Sequence, residues 1–96
     1  MFGKMKELME MKNQADKIKR ELEATDVECE EVRGIKITMN GAQAIKAIDI
    51  DPMMLGEKNK EKLQKDLMRS FNGAVKKSQT VAATKMRALM PGLPGF

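Results

Sequence analysis

Between Ile35 and Pro52 the chain reads Ile-Lys-Ile-Thr-Met, then Asn40-Gly41, then Ala-Gln-Ala-Ile-Lys-Ala-Ile-Asp-Ile-Asp-Pro. Apolar and polar residues alternate up to Met39, the period-2 pattern of a half-buried strand. Asn-Gly between two such runs predicts a hairpin, because a type I′ turn needs positive φ at both central residues. With a two-residue loop, Met39 would pair with Ala42, Ile37 with Ala44 and Ile35 with Lys46. One face would then carry Ile35, Ile37, Met39, Ala42, Ala44, Ile48 and Ile50, and Ile45 and Ala47 would fall on the other. Lys46 would be the misfit on the first face, held at an edge with its ammonium in water. Ile35, Ile37, Met39, Ile48 and Ile50 are accordingly the expected contacts of the core sheet and of a dimer. Asp51-Pro52 ends the strand, since proline donates nothing to a ladder and the residue before it stays extended.

The segments around this hairpin complete one small domain of 96 residues. Leu8, Met11, Ala15, Ile18 and Leu22 are spaced 3, 4, 3, 4, which predicts a helix over residues 1–24 with one apolar seam. Val27 and Cys29 alternate against Asp26, Glu28 and Glu30, so the sheet region 25–51 holds three strands. A two-residue Arg33-Gly34 turn alone would put Glu28 and Glu30 on the face of Ile35 and Ile37, a costly burial of charge. A longer loop or a bulge is expected there. Pro52 to Leu55 reads as a single turn, broken at Gly56. A long helix follows over 59–90, with Leu63, Leu67, Phe71, Ala74, Val75, Ser78, Val81 and Ala82 as its apolar stripe. Gly73 inside that stripe costs about 1 kcal/mol against alanine and points to close packing. Residues 91–96, Pro-Gly-Leu-Pro-Gly-Phe, are loop chemistry and are expected to form a flexible tail. Helix, three strands and helix make an α+β fold with the helices segregated from an antiparallel sheet.

Composition removes most chemistry. With no histidine in the chain, no Ser-His-Asp or Cys-His nucleophile can be assembled, and zinc sites built from Cys and His are excluded. No phosphate-cradling glycine loop occurs. Asp49 and Asp51 share a strand face, but two carboxylates fit strand-end solvation better than a cation site. Neither a catalytic residue, nor a metal, nor a cofactor is expected. The single Cys29 reads as a small buried hydrophobe in a reducing cytoplasm. No run approaches the roughly 20 apolar residues of a membrane span, and Met1 to Met11 lacks the pattern of a secretory leader. Ten methionines and only three aromatic residues fill the apolar quota, which suits a core completed across a subunit interface. A second copy of the chain would also cover the open edges of the sheet.

Charge is the informative quantity. The net charge is +4, yet residues 1–56 carry nine bases against eleven acids and residues 57–96 nine bases against three acids. Glu21 to Glu31 holds six acids and no base, and no acid follows Asp66. The plain reading of the acidic run is an edge strand charged against aggregation. On the long helix Lys65, Arg69, Asn72, Lys76, Thr80 and Arg87 share one narrow sector, with Lys62, Lys77 and Lys85 flanking it. Solvated helices ordinarily mix both signs, so an acid-free stripe tens of ångströms long fits a polyphosphate backbone. Aromatic platforms for stacking single-stranded bases are lacking, which favours duplex DNA held through its phosphates. Lys4, Lys6, Lys12, Lys19 and Arg20 on the first helix are secondary candidates, because acids interleave with them.

Taken with these residues, the chain resembles the YbaB/EbfC family of small bacterial nucleoid-associated proteins. The likeness rests on the Met-Phe-Gly-Lys start, the amphipathic first helix, Ile-Lys-Ile-Thr-Met-Asn-Gly, Ile-Asp-Ile-Asp-Pro with Leu55, Phe-Asn-Gly-Ala at 71–74 and the Pro-Gly-Leu-Pro-Gly-Phe tail. It implies an α-β-β-β-α homodimer shaped like tweezers that binds DNA in the bacterial cytoplasm. It also implies roles in nucleoid organisation and gene expression, with recombination-repair or other nucleoid proteins as further partners. Family members often carry a glycine-rich loop before the second strand, where this chain has Glu30-Glu31-Val32-Arg33-Gly34. The alternative is an adaptor that docks another protein on Met-rich helical surfaces without touching DNA; an enzyme is a distant third.

Overall fold

In the computed structural model, which describes residues 2–89, two helices flank a three-stranded antiparallel sheet. The order is α1 (Phe2–Ala24), β1 (Asp26–Val32), β2 (Ile35–Asn40), β3 (Ile45–Ile50), 3-10 turns at Pro52–Met54 and Glu57–Asn59, and α2 (Lys60–Leu89). This is the α+β order that the sequence predicts. The tail expected at 91–96 lies outside the described residues.

Residues in the strands alternate as a two-faced sheet requires. Val27, Cys29, Ile35, Ile37 and Met39 are buried on one face. Against them α2 sets Ser70, Ala74 and Ser78, its only buried residues, at intervals of four. Small side chains on this row let the helix sit close, and Leu63, Leu67, Phe71 and Val75 close the cluster from either side. The helix lies over β1 and β2 rather than β3. Consequently Ile45 and Ile48 of β3 stay 48% and 47% exposed, and Ile50 is half-buried.

The hairpin differs from the expected one. Met39 pairs with Ile45, Ile37 with Ile48 and Ile35 with Ile50, and the register shifts between Thr38 and Met39. Gly41 to Ala44 form the loop, and the positive φ falls on Gln43, at 65°. Lys46 occupies the bulge and faces no partner, while Ile45 moves to the face of Met39. The reason is that Asn40 has another task. Its Oδ1 accepts from the amides of Ala42 (3.0 Å) and Ala44 (2.9 Å), and its Nδ2 donates to the carbonyl of Glu23 (3.2 Å). Its own carbonyl accepts from Ser78 Oγ at 2.7 Å. Gly41 is needed for close approach, not for turn geometry. A Cβ there would lie 3.0 Å from the Leu22 carbonyl oxygen, to which the Gly41 amide donates at 2.9 Å. The Asn-Gly pair therefore caps α1 and fastens it to α2.

At the other hairpin both sequence constraints are met at once. Val32 pairs with Ile35 across the tight Arg33-Gly34 turn, and Gly34 takes φ +97°. Between the Cys29–Ile37 and Val32–Ile35 pairs, Glu30 and Glu31 stand opposite Lys36 alone. This bulge is what keeps Glu28 and Glu30 off the face of Ile35 and Ile37. Asp51, next to Asp49 in the weighed cation pair, instead accepts from the Met53 amide at 2.9 Å and caps the following turn.

Replacing Asn40 by alanine removes three part-buried hydrogen bonds, so it should cost about 2–4 kcal/mol. Ser78→Ala should cost about 1 kcal/mol. Urea unfolding at one protein concentration measures both. A cost for Asn40→Ala no larger than that for Ser78→Ala would show that the staple is not what holds α1.

Candidate nucleic-acid interface

A helix of thirty residues extends for about 45 Å, and the exposed side of α2 presents its cations along that length. At 100° per residue, Lys62, Lys65, Arg69, Asn72, Lys76, Thr80 and Arg87 share about 80° of arc. That arc lies away from the row of Ser70, Ala74 and Ser78. All seven side chains are exposed.

The basic residues separate into two groups by what they touch. Lys65, Lys76 and Arg87 make no ion pair among the described residues. The others are engaged. Lys62 binds Asp66 one turn on, at 2.6 Å. Arg69 lies 3.7 Å from Glu31 of β1. Lys77 sits off the stripe and donates to the backbone carbonyl of Glu28. Lys85 turns toward α1, 4.0 Å from Glu21, and is half-buried. The stripe is therefore one continuous row in which Lys65, Lys76 and Arg87 are free of ion pairs among the described residues, with two of the flanking lysines tying α2 to β1 and α1.

On α1, Lys4, Lys6, Lys12, Lys19 and Arg20 are all exposed. Asp16 and Glu23 border Lys19 and Arg20, so this surface mixes both signs. The last turns of α2 run back along α1, where Met86 meets Ala15, Ile18 and Leu22 beside Ala42. Of the expected seam only Ile18 is buried, and Leu8 and Met11 remain 63% and 66% exposed. The sheet candidates divide likewise: Ile35, Ile37 and Met39 are buried beneath α2, whereas Ile48 and Ile50 belong to the uncovered strand.

One participant was not evident from sequence, the side chain of Glu31. Gly73 is where it passes. A Cβ on Gly73 would lie 3.1 Å from Glu31 Cβ and 3.2 Å from its Cγ, which is the close packing that a glycine inside a helix signals. Cys29, Glu31, Asn72, Gly73 and Lys76 line one open groove between β1 and the basic side of α2.

A surface of this kind, long, cationic and without an enclosed reactive cluster, is suited to binding a polyanion. Among the described residues no group of three or more Cys, Asp or Glu could hold a metal ion. Over residues 1–93 the sequence matches the model of the YbaB/EbfC DNA-binding family. The chain belongs to that family. Membership of the YbaB/EbfC family, a non-enzymatic kind of protein, supports a nucleoid-associated, DNA-binding role for the chain. No described helix is long and apolar enough to cross a membrane.

The division of the cations makes a stability prediction. Lys65→Gln, Lys76→Gln and Arg87→Gln should each leave the unfolding free energy in urea within about 0.5 kcal/mol of wild type. Lys77→Gln, which removes a tie between α2 and β1, should lower it measurably. Equal losses at all four positions would mean that the stripe is structural.

Proposed function

We propose that this YbaB/EbfC-family protein binds duplex DNA as a homodimer with low sequence specificity, and thereby acts in nucleoid organisation and gene expression. The observation that carries the DNA surface is the row of exposed cations on α2, with Lys65, Lys76 and Arg87 free of ion pairs among the described residues. Lysine and arginine there meet phosphates and release counterions, so binding follows salt more than sequence. Asn72 and Thr80 are the two uncharged polar side chains of the row, and Thr80 Oγ1 already donates to the Lys76 carbonyl.

The dimer rests on surface left over. A compact monomer of 10.8 kDa would expose about 5,500 Å², and this chain exposes 7565 Å². Its radius of gyration is 18.4 Å, where about 12.5 Å suits a compact chain of this length. The uncovered apolar side of β3, with Ile45, Ile48 and neighbouring Leu55, lies at an open sheet edge. A second copy would cover edge and face together, and a standard interface takes only about 800 Å² from each partner.

The exposed side chains of Met5, Leu8, Met9 and Met11 on α1 favour the second reading, an adaptor for another protein chain. Salt separates the two readings, because an apolar methionine surface responds little to it.

Fluorescence anisotropy with two unrelated duplexes at low and moderate salt is the test. Wild type should bind both and weaken as salt rises. The Lys65, Arg69, Lys76, Arg87→Gln variant should lose about 3–4 from the slope of log K against log salt, at about 0.9 per phosphate contact. An unchanged slope moves the DNA surface to α1; no binding at low salt leaves the adaptor. For the dimer, Ile48→Asp should convert a dimer to a monomer in sedimentation at micromolar concentration. A wild-type monomer there would refute the dimer.

A further inference from the structure

Three features converge on one carboxylate. The bulge in β1 sets Glu30 and Glu31 against the single residue Lys36, and bulges re-aim side chains at sheet edges. Gly73 supplies a gap in the surface of α2, and the Glu31 side chain lies against it, with Oε2 3.4 Å from where a Cβ would be. One turn earlier on the same helix face, Arg69 Nη2 is 3.7 Å from Glu31 Oε1. Both groups are reachable from solvent, the side chains being 66% and 46% exposed. Lys76, three residues beyond Gly73, lines the same groove.

From this geometry we infer that Glu31 is a built-in competitor for DNA: its carboxylate takes the place of a phosphate at Arg69 and limits the affinity of the α2 surface. The inference rests on the DNA-binding reading above and adds to it the residue that sets its strength. A carboxylate and a phosphate oxygen make the same charge-assisted bond to a guanidinium. They compete for it, because a second anion beside Arg69 meets the repulsion of the first, which lies 3.7 Å away as an ion pair. As an exposed pair, Glu31 and Arg69 are held weakly, so an arriving phosphate displaces the glutamate instead of being excluded. The gap at Gly73 is what lets a side chain from the sheet reach the cationic row.

The probes are a duplex of arbitrary sequence and inorganic polyphosphate, each titrated by anisotropy or competition over a range of salt. Glu31→Gln should bind both about fivefold more tightly than wild type at low salt. Its salt slope should change by less than about 0.9, because Arg69 meets a phosphate in both proteins and the number of contacts is unchanged. Glu30→Gln makes the same change of charge on the neighbouring bulge residue and should alter affinity less than twofold. In an Arg69→Gln background the gain from Glu31→Gln should vanish. Circular dichroism and urea midpoints confirm that each variant is folded. Equal gains from Glu30→Gln and Glu31→Gln, no gain from Glu31→Gln, or a gain that survives Arg69→Gln would each overturn the inference. If polyphosphate shows the full pattern while the duplex is not bound, the counter-charge stands and the DNA reading falls. Binding of neither probe overturns both.

Discussion

The hydrogen bonds of Asn40 are the constraint on which the rest of the structure depends. An α-helix ends with carbonyls that have no partner inside it, and here they are met from three directions. Thr25 Oγ1 donates to Glu21, the Gly41 amide to Leu22 and Asn40 Nδ2 to Glu23. The same asparagine shapes the β2–β3 loop through Oδ1 and receives Ser78 of α2 on its carbonyl. At 2% exposure these bonds are shielded from water, where leaving one unmade is expensive. Apolar packing holds α1 much less, since Ile18 is its one buried hydrophobe among the described residues. The position of α1 is thus decided by polar groups at its end, and most of its length meets only solvent.

The second helix reconciles two requirements on one rod. Its inner row of Ser70, Ala74 and Ser78 is too small to supply much apolar area, so the core is completed by residues on either side, Leu67, Phe71 and Val75 among them. The serines satisfy themselves, Ser70 on the Asp66 carbonyl and Ser78 on Asn40. Close approach to the sheet leaves the opposite arc out of the core. Cations can collect there at little cost to folding, because their mutual repulsion is screened by water and salt. Acids from the neighbouring elements answer some of that charge locally, Glu31 at Arg69 and Glu21 at Lys85.

Much of this was legible in the sequence, and the parts that were not share a cause. Strand and helix periods depend on local spacing, so the order of elements, the need for a longer loop or a bulge before Ile35 and the close packing at Gly73 could be read directly. The tight turn that Asn40-Gly41 predicts is in error, because this strongest local meaning competes with a tertiary one. No pattern within the hairpin shows that α1 ends beside it. The register of β3 followed that error, and with it the places of Ile45 and Lys46. For the charged surface, spacing gave the row on α2 but not its partners. Lys77 and Lys85 look like members of the stripe until the carbonyl of Glu28 and the carboxylate of Glu21 are placed beside them. A one-dimensional count of charge cannot separate a cation that binds from one that fastens.

Geometry also limits what one protomer can do with DNA. From Lys65 to Arg87 the rise is about 33 Å at 1.5 Å per residue, close to one turn of duplex, which carries a charge every 1.7 Å of its axis or roughly twenty in all. A straight helix meets the winding phosphate backbone over only part of that turn, so its handful of cations neutralises a small share. Contacts so few give binding that is weak and sensitive to salt. Two copies joined at β3 would hold two such rods in one particle, and the second would bind at the high effective concentration set by the first. Avidity of this kind needs no base reading, and its strength depends on how well each rod binds alone. That makes small adjustments on α2, such as one carboxylate lying beside Arg69, count twice in the assembly.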